Sequence, residues 1–346
     1  MSLVLGLEIT PRFVRGAFLK TALRGSEMEH YAEVAIAPPS EEQSTTAPLR
    51  AAVAEVLAQG SRPPDRVIAA LDGEFASLRL IDLPLGVEKK IAEVLPGELE
   101  SLLPFEVSDA IVDYQIVSRD EINLQLMTVA TPRKNVAERL QFLRAAGVEP
   151  RELAVGAASF GGLGALLRET LSNRTVLVID VGSTSTDFAV LTNGQCTFAR
   201  TVSGGMNLVE SGRRTELGAA LRRTLASYRS QRSDDPSLIL LAGETAPMES
   251  ARQWLTEQLG IECGTVPVPS AAGTDDETAP RFAKAAALAA RAISRKRQLD
   301  LRQGEFASKA AAGEIRKHLR LIAVCVAAVL LSFVVSLGAR YRVARA

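Results

Sequence analysis

Two apolar runs around a Thr-Pro turn open the chain. LVLGLEITPRFVRGAFLK (residues 3–20) reads as a β-hairpin, because unbroken Val, Leu, Ile and Phe on both sides of a turn suit buried strands. HYAEVAIA (30–37) adds a third strand, and PPSEEQSTTAP (38–48) is a polar, proline-bounded loop. LRAAVAEVLAQG (49–60) has apolar residues at helical spacing and ends on Gly60, which predicts an amphipathic helix. RVIAALDG (66–73) is a short buried strand, so the order so far is β-β-β-α-β. A different pattern follows: strand 76–81, helix 87–101, strands 110–118 and 121–130, helix 133–146, strand 150–156 and a helical run to about 171. VLVIDVGSTSTDFAVL (176–191) begins another hairpin, continued at 195–202. A helix over 204–231, a buried strand over 237–244 and a helix over 246–260 come next. A solvated loop (270–280) and an Ala-rich helix (281–294) complete the series.

The β-β-β-α-β unit therefore occurs twice, from residue 3 and again from residue 176. Duplication of that kind predicts two α/β lobes with a hinge. The expected body is 1–294, with a first lobe at about 1–75, an inserted subdomain at about 76–173 and a second lobe at about 174–294.

Residues 321–339, LIAVCVAAVLLSFVVSLGA, run without a charge. That is just long enough for one transmembrane helix, which needs about 20 apolar residues. It predicts a basic juxtamembrane segment at 295–320 and a short far end at 340–346. Eight Lys/Arg lie between Arg295 and the run and three lie beyond it, so the body is expected in the cytoplasm, at the inner membrane. From Arg295 onward the chain carries +8, and the body therefore carries −8.

Composition narrows the chemistry. Aromatic residues are only 5%, with a single Trp254, which gives no platform for stacked bases and argues against nucleic acid. Cys196, Cys263 and Cys325 form no paired framework, as suits a reducing compartment. With His30 and His318 as the only histidines, neither a histidine metal site nor a Ser-His-Asp triad is expected.

Candidate chemistry concentrates in the second hairpin. Asp180, Gly182, Ser183, Thr184, Thr186 and Asp187 share one tight turn between strands. Gly182 would let backbone N–H groups approach a phosphate, the Ser and Thr hydroxyls would add donors, and Asp180 could hold hydrated Mg²⁺. The same residue types are also what any polar hairpin turn prefers.

This turn resembles the second phosphate loop of the actin–Hsp70–hexokinase superfamily, whose two lobes clamp ATP. A closer resemblance is carried by LPLGVEKKIAEVLPGELESLLPFEVSDAIVDYQIV (83–117), with LLPFEVSDAIVDYQIV as its most specific part. VATPRKNVAERLQFLRAAGVEPREL (129–153), TVSGGMNLVE (201–210) and QLDLRQGEFA (298–307) support it. Together they resemble the type II secretion system protein L (GspL) family and the related type IV pilus assembly protein PilM. The run at 321–339 favours protein L, since PilM is soluble. The resemblance implies an actin-like duplicated two-lobed fold with an inserted subdomain. It also implies a non-enzymatic role: recruiting the secretion ATPase of the protein E family, and pairing with protein M and protein F family platform components as a homo-oligomer. The alternative it leaves open is a membrane-anchored, PilM-like ATP-binding switch.

Three superfamily elements must converge on a nucleotide. In LGLEITPRF the first loop offers Glu8 where an Asp belongs, and Ile9, Thr10 and Pro11 where small residues belong; Pro11 has no N–H to donate. The second loop is intact. The adenosine turn, LLAGET, keeps Gly243 but has Ala242 before it and Glu244 after. With one sound element of three, no hydrolysis and no required cofactor are expected, and ATP with Mg²⁺ is at most weakly held.

The segment LDLRQGEF (299–306) brings Leu299, Leu301 and Phe306 forward as interface residues. In pilus systems a comparable stretch belongs to PilN and docks on PilM, so here it is expected to fold back on its own body, unless it is a solvated linker. In the apolar run, Ser332, Ser336 and Gly338 form a small-residue stripe suited to helix pairing.

Overall fold

Seven of the eight residues of the first strand, β1 (Ser2–Ile9), are buried. A strand covered on both faces belongs in the middle of a sheet with layers on each side. In the computed structural model, which describes residues 1–22, 25–37, 46–272 and 274–308, that is its place. The described chain comprises a body, Met1–Arg302, and a second unit starting at Gln303.

Strands β1, β2 (Phe13–Ala22) and β3 (Gly25–Ala35) form a meander. Helix α1 (Ala47–Ala58) crosses over, and β4 (Arg66–Leu71) returns parallel to β1. Next come β5 (Ser77–Pro84), α2 (Ile91–Glu100), β6 (Ala110–Arg119), β7 (Asn123–Pro132) and α3 (Arg133–Ala145). Their strands make a separate antiparallel sheet in the order β5-β7-β6. On α2, Ile91, Leu95 and Leu99 recur every four residues and pack on Ile81, Leu83, Leu124 and Leu126, giving this part its own core.

β8 (Glu152–Val155) then rejoins the first sheet, in register with β4 from Ile68↔Glu152 to Leu71↔Val155. The sequence pattern put this strand with the insertion, because burial alone does not say which sheet a short parallel strand joins. After it, the expected helical run is a 3₁₀ stretch, Gly156–Gly162, followed by two single turns, α4 (Leu163–Leu166) and α5 (Arg168–Leu171). Its three glycines are poor helix formers.

The second copy contains β9 (Thr175–Val181), β10 (Ser185–Thr192), β11 (Gln195–Ser203), α6 (Met206–Glu210), α7 (Arg214–Arg229), β12 (Leu238–Ala242), α8 (Glu249–Leu259) and β13 (Cys263–Thr265). The expected helix over 204–231 is split at the turn between α6 and α7. The two five-stranded sheets, β3-β2-β1-β4-β8 and β11-β10-β9-β12-β13, match position for position. Each has its first two hairpins antiparallel and its later strands parallel. Leu177, Ile179, Phe188, Phe198, Leu221 and Tyr228 belong to the core of the second copy.

The Ala-rich helix α9 (Ala283–Ala290) lies on β1. Its composition has a steric reason. A Cβ built on Gly6 of β1 would fall 2.0 Å from the Ala285 carbonyl oxygen and 2.4 Å from the Ala289 nitrogen. Helix and strand backbones touch, so only the smallest side chains fit between them.

Gly6→Ala should therefore destabilise the body by roughly 1–3 kcal/mol through overpacking. Urea denaturation of the purified chain measures this, and unchanged stability would show that α9 can back away from β1.

Candidate functional site

The duplicated topology sets two β-turns at one cavity of about 280 Å³. One wall is Glu8–Pro11 at the end of β1 and the other is Asp180–Ser185 at the end of β9. In the first hairpin Glu8 lies opposite Arg15. In the second, Asp180 lies opposite Asp187. The two pairs occupy equivalent places, but the first is complementary and the second repulsive.

Lys284, near the start of α9, resolves the repulsion. Its Nζ is 2.6 Å from Asp180 Oδ2, 2.9 Å from Asp187 Oδ2 and 3.7 Å from Glu8 Oε1. It also lies 5.5 Å from the centre of the Phe160 ring. Burial opposes the charge on Lys284, but Asp180, Asp187 and Glu8 overrule it and hold the ammonium well above the usual lysine range. Thr201 donates its hydroxyl hydrogen bond to Asp187. Asp180 sits against Gly243, where a Cβ would come 2.0 Å from Oδ1 and where φ is +75°. Only glycine tolerates both conditions.

Arg15 is 1% exposed and meets Glu33 at 2.6 Å, Glu244 at 3.4 Å and Glu8 at 4.0 Å. Glu8 accepts no hydrogen bond on Oε2. Burial pushes its carboxyl up to about 7, aided by Asp180 and Asp187 and opposed by Lys284 and Arg15.

The first turn has spent its donors. The Thr10 N–H bonds to the Phe13 carbonyl at 2.9 Å, and the Thr10 hydroxyl accepts from the Arg12 and Phe13 N–H groups at 3.3 and 2.9 Å. Ser183 and Thr184, by contrast, line the cavity. Their loop is braced from behind, where the N–H groups of Gly204, Met206 and Asn207 bond to the carbonyls of Thr184, Gly182 and Ser183 at 2.7–2.9 Å. Of the residues singled out in the sequence, Asp180, Gly182, Ser183, Thr184 and Asp187 thus come together, with Gly243 behind Asp180. Lys284 and Arg15 were missed. The available signal was the seven-residue spacing of two aspartates about a turn, which puts like charges face to face and calls for a cation.

A second assembly lies at the edge of the first sheet. Leu299 and Leu301 are 1% and 0% exposed. The Leu301 N–H bonds to the Leu153 carbonyl at 2.9 Å, and the Leu153 N–H to Asp300 Oδ1 at 2.9 Å, so residues 299–301 run along β8. Arg297 pairs with Asp113 at 2.5 Å, the Asp300 N–H reaches the same carboxylate at 2.8 Å, and Arg302 pairs with Glu149 at 2.8 Å. Arg291, just past α9, holds the Leu299 carbonyl at 2.7 Å and Glu152 at 2.8 Å. This strap is no solvated linker. Arg297 and Arg302, counted in the sequence among the cations of the basic juxtamembrane segment, pair with carboxylates of the body. Phe306 closes a 3₁₀ turn, Gly304–Phe306, in the second unit. Ser332, Ser336 and the whole 321–339 run lie outside the described residues; among the described residues no helix is long and apolar enough to cross a membrane.

The family profile of type IV pilus assembly protein PilM matches residues 6–215, more than half of the chain. The chain belongs to the PilM family. Its fold is shared with a solved PilM–PilN type IV pilus biogenesis complex, at 24% identity over 84% of this chain and 98% of that one, with a TM-score of 0.71. It is also similar to the cytoplasmic domain of EpsL, an inner-membrane component of the type II secretion system of Vibrio cholerae. That match has 14% identity over 88% of this chain and 100% of the other, with a TM-score of 0.50. A Bacteroides thetaiotaomicron protein with an actin-like ATPase fold matches at 12% identity over 83% of this chain and 95% of that one, with a TM-score of 0.46.

Within this PilM-family body the cleft suits Mg²⁺–nucleotide poorly. The carboxylates that would hold a hydrated metal already bind an ammonium. Asp72, Glu74 and Glu244 add negative charge to the lining, against Arg15, Arg139 and Lys284.

Glu8 makes a pH dependence. Its folded carboxyl keeps a proton up to about 7, whereas the unfolded one loses it near 4.5. Folding takes up a proton between those values, so stability falls as pH rises through that window and levels off above it. Glu8→Gln should flatten the fall by on the order of 2 kcal/mol between about pH 5 and 8. Denaturant titrations across that range test it, and equal slopes in both proteins would refute the assignment.

Proposed function

We propose that this chain is a non-enzymatic, membrane-anchored platform component of a type II secretion system. Its body recruits the cytoplasmic secretion ATPase and links it to platform partners of the protein M and protein F families. Membership of the PilM family supports the broader statement, a component of pilus or secretion machinery. The strap carries the finer one. The first part of the basic segment that leads to the apolar 321–339 run, residues 299–301, is built into the edge of the first sheet. A body held in this way moves with its anchor, as an adaptor between an ATPase and a membrane assembly requires. No nucleotide is needed for the role, because Lys284 supplies the positive charge that closes the cleft.

A second reading has one observation in its favour. Ser183 and Thr184 face the cavity, as an ATP-gated switch of the pilus type would need. Calorimetry of the detergent-purified chain with Mg²⁺ and ATP separates the two readings. The platform reading expects no micromolar binding and no turnover. Binding at about 10 µM or tighter, a stabilisation of about 7 kcal/mol, would shift the assignment to the switch. Co-purification with the N-terminal domain of a secretion ATPase tests recruitment, and failure to associate would count against the platform.

Replacing Leu299 and Leu301 together by Ser should free the strap. Trypsin cleavage around Arg297 and Arg302 should then accelerate at least about tenfold, since cleavage tracks the population of the opened segment. An unchanged cleavage rate would mean that the strap is not held by its two leucines.

A further inference from the structure

A second cavity, of about 420 Å³, opens between the edge of the β5-β7-β6 sheet and β11, itself an edge strand. Arg79 of β5 and Arg200 of β11 both line it, and both also line a smaller cavity of about 50 Å³ beside it. Both guanidiniums are half-buried. Arg79 donates one hydrogen bond, to the carbonyl of its neighbour Leu78 at 3.2 Å. The Arg200 guanidinium has no hydrogen-bond or ion-pair partner among the described residues. Burial and the adjacent Arg79 charge hold the Arg200 guanidinium below the usual arginine range. Glu74 is the one carboxylate in the lining, and it forms no ion pair with either arginine.

Half-buried like charges without a counter-ion are unusual, because partial desolvation and mutual repulsion both oppose them. In the same body Arg15, Arg232, Arg291 and Arg302 each have a carboxylate. The arrangement is relieved when carboxylates arrive from outside, and two guanidinium forks suit bidentate carboxylate pairing. Aromatic surface lies alongside. Phe75 is 51% exposed, and Phe105 lines the same cavity. Two cations are too few to hold a polyanion against a body of net charge −8, which repels nucleic acid and anionic membrane alike.

We infer that the Arg79–Arg200 groove is a docking site for an acidic segment of a partner protein, one that sets Asp or Glu side chains on the two arginines and an apolar side chain on Phe75 and Phe105. The inference goes beyond the platform reading and does not depend on which machine the chain serves. Failed recruitment of the ATPase would leave it standing, and failure of this groove would leave the platform reading standing.

The test uses the full chain in detergent and two fluorescent peptides, one alternating glutamate and phenylalanine and one with glutamine for every glutamate. Fluorescence anisotropy should show the acidic peptide binding, and the glutamine peptide at least about tenfold more weakly. Arg79→Gln and Arg200→Gln should each weaken the acidic peptide by about tenfold or more. Arg214→Gln, at a guanidinium stacked 4.6 Å from the centre of the Trp254 ring, should leave it unchanged. Arg200→Gln should also raise the melting temperature of the peptide-free chain, by removing the repulsion, a readout that confirms folding of the variant. Equal binding of both peptides, insensitivity to both arginine variants, or affinity for the acidic peptide no better than about 1 mM would overturn the inference. So would Arg200-dependent binding to phosphatidylglycerol vesicles in place of the peptide, which would assign the groove to lipid.

Discussion

One half-buried ammonium holds the two halves of this fold against each other. Lys284 leaves α9, a helix laid on β1 of the first copy, and meets Asp180 and Asp187 on the facing strands β9 and β10 of the second. Without it two carboxylates would stand in register with no counter-charge in a site almost closed to water. Removing one partner from a buried pair of this kind typically costs about 3–5 kcal/mol, because the remaining charge stays desolvated. The position of Lys284 is fixed in turn by the contact of α9 with Gly6, where backbone meets backbone and no slack remains. Packing places the charge, and the charge ties the copies.

The duplication shows how one frame takes two electrostatic solutions. At equivalent positions the first hairpin carries Glu8 opposite Arg15 and the second Asp180 opposite Asp187. The first pair is complementary within its own hairpin, and Arg15 goes on to gather Glu33 and Glu244. The second borrows its cation from a distant helix. A lobe pair that clamps a ligand needs its cation to arrive with the ligand. Here Lys284 of the chain itself stands between the two carboxylates. The Thr10–Phe13 turn follows the same logic, since its N–H groups serve the turn and leave nothing for a phosphate.

Much of this was legible in the sequence, and the reasons for the rest are specific. The repeated β-β-β-α-β order was readable because apolar runs and turn residues are local signals, and the two sheets have matching strand orders. The burial of Leu299 and Leu301 was readable from their alternation and from a family resemblance. The strand they lie against was not, because nothing local in ELAV tells β8 to leave the insertion and pair with β4. Lys284 was hidden for a similar reason. In RFAKAAALAARAIS it looks like a solubilising charge on an Ala-rich helix, and only the register of β9 with β10 gives it a purpose. The alanines looked like helix propensity, whereas Gly6 shows that close approach selects them.

Helix α9 joins the two assemblies that define this molecule. Lys284, its second residue, reaches the cleft, and Arg291, the residue after its last, holds the Leu299 carbonyl and Glu152. Six residues of helix, 285–290, lie between them, a rigid rod of about 10 Å from one to the other. A second path runs parallel to it. β8, which bonds the strap through Leu153, continues directly into the Gly156–Gly162 stretch, and Phe160 of that stretch lies beneath the Lys284 ammonium. Strap and cleft are therefore joined by two short, stiff connections with packed backbone along both. Close-packed elements of this kind move as units rather than deforming continuously. Both connections run between the strap at β8 and the Lys284 end of α9.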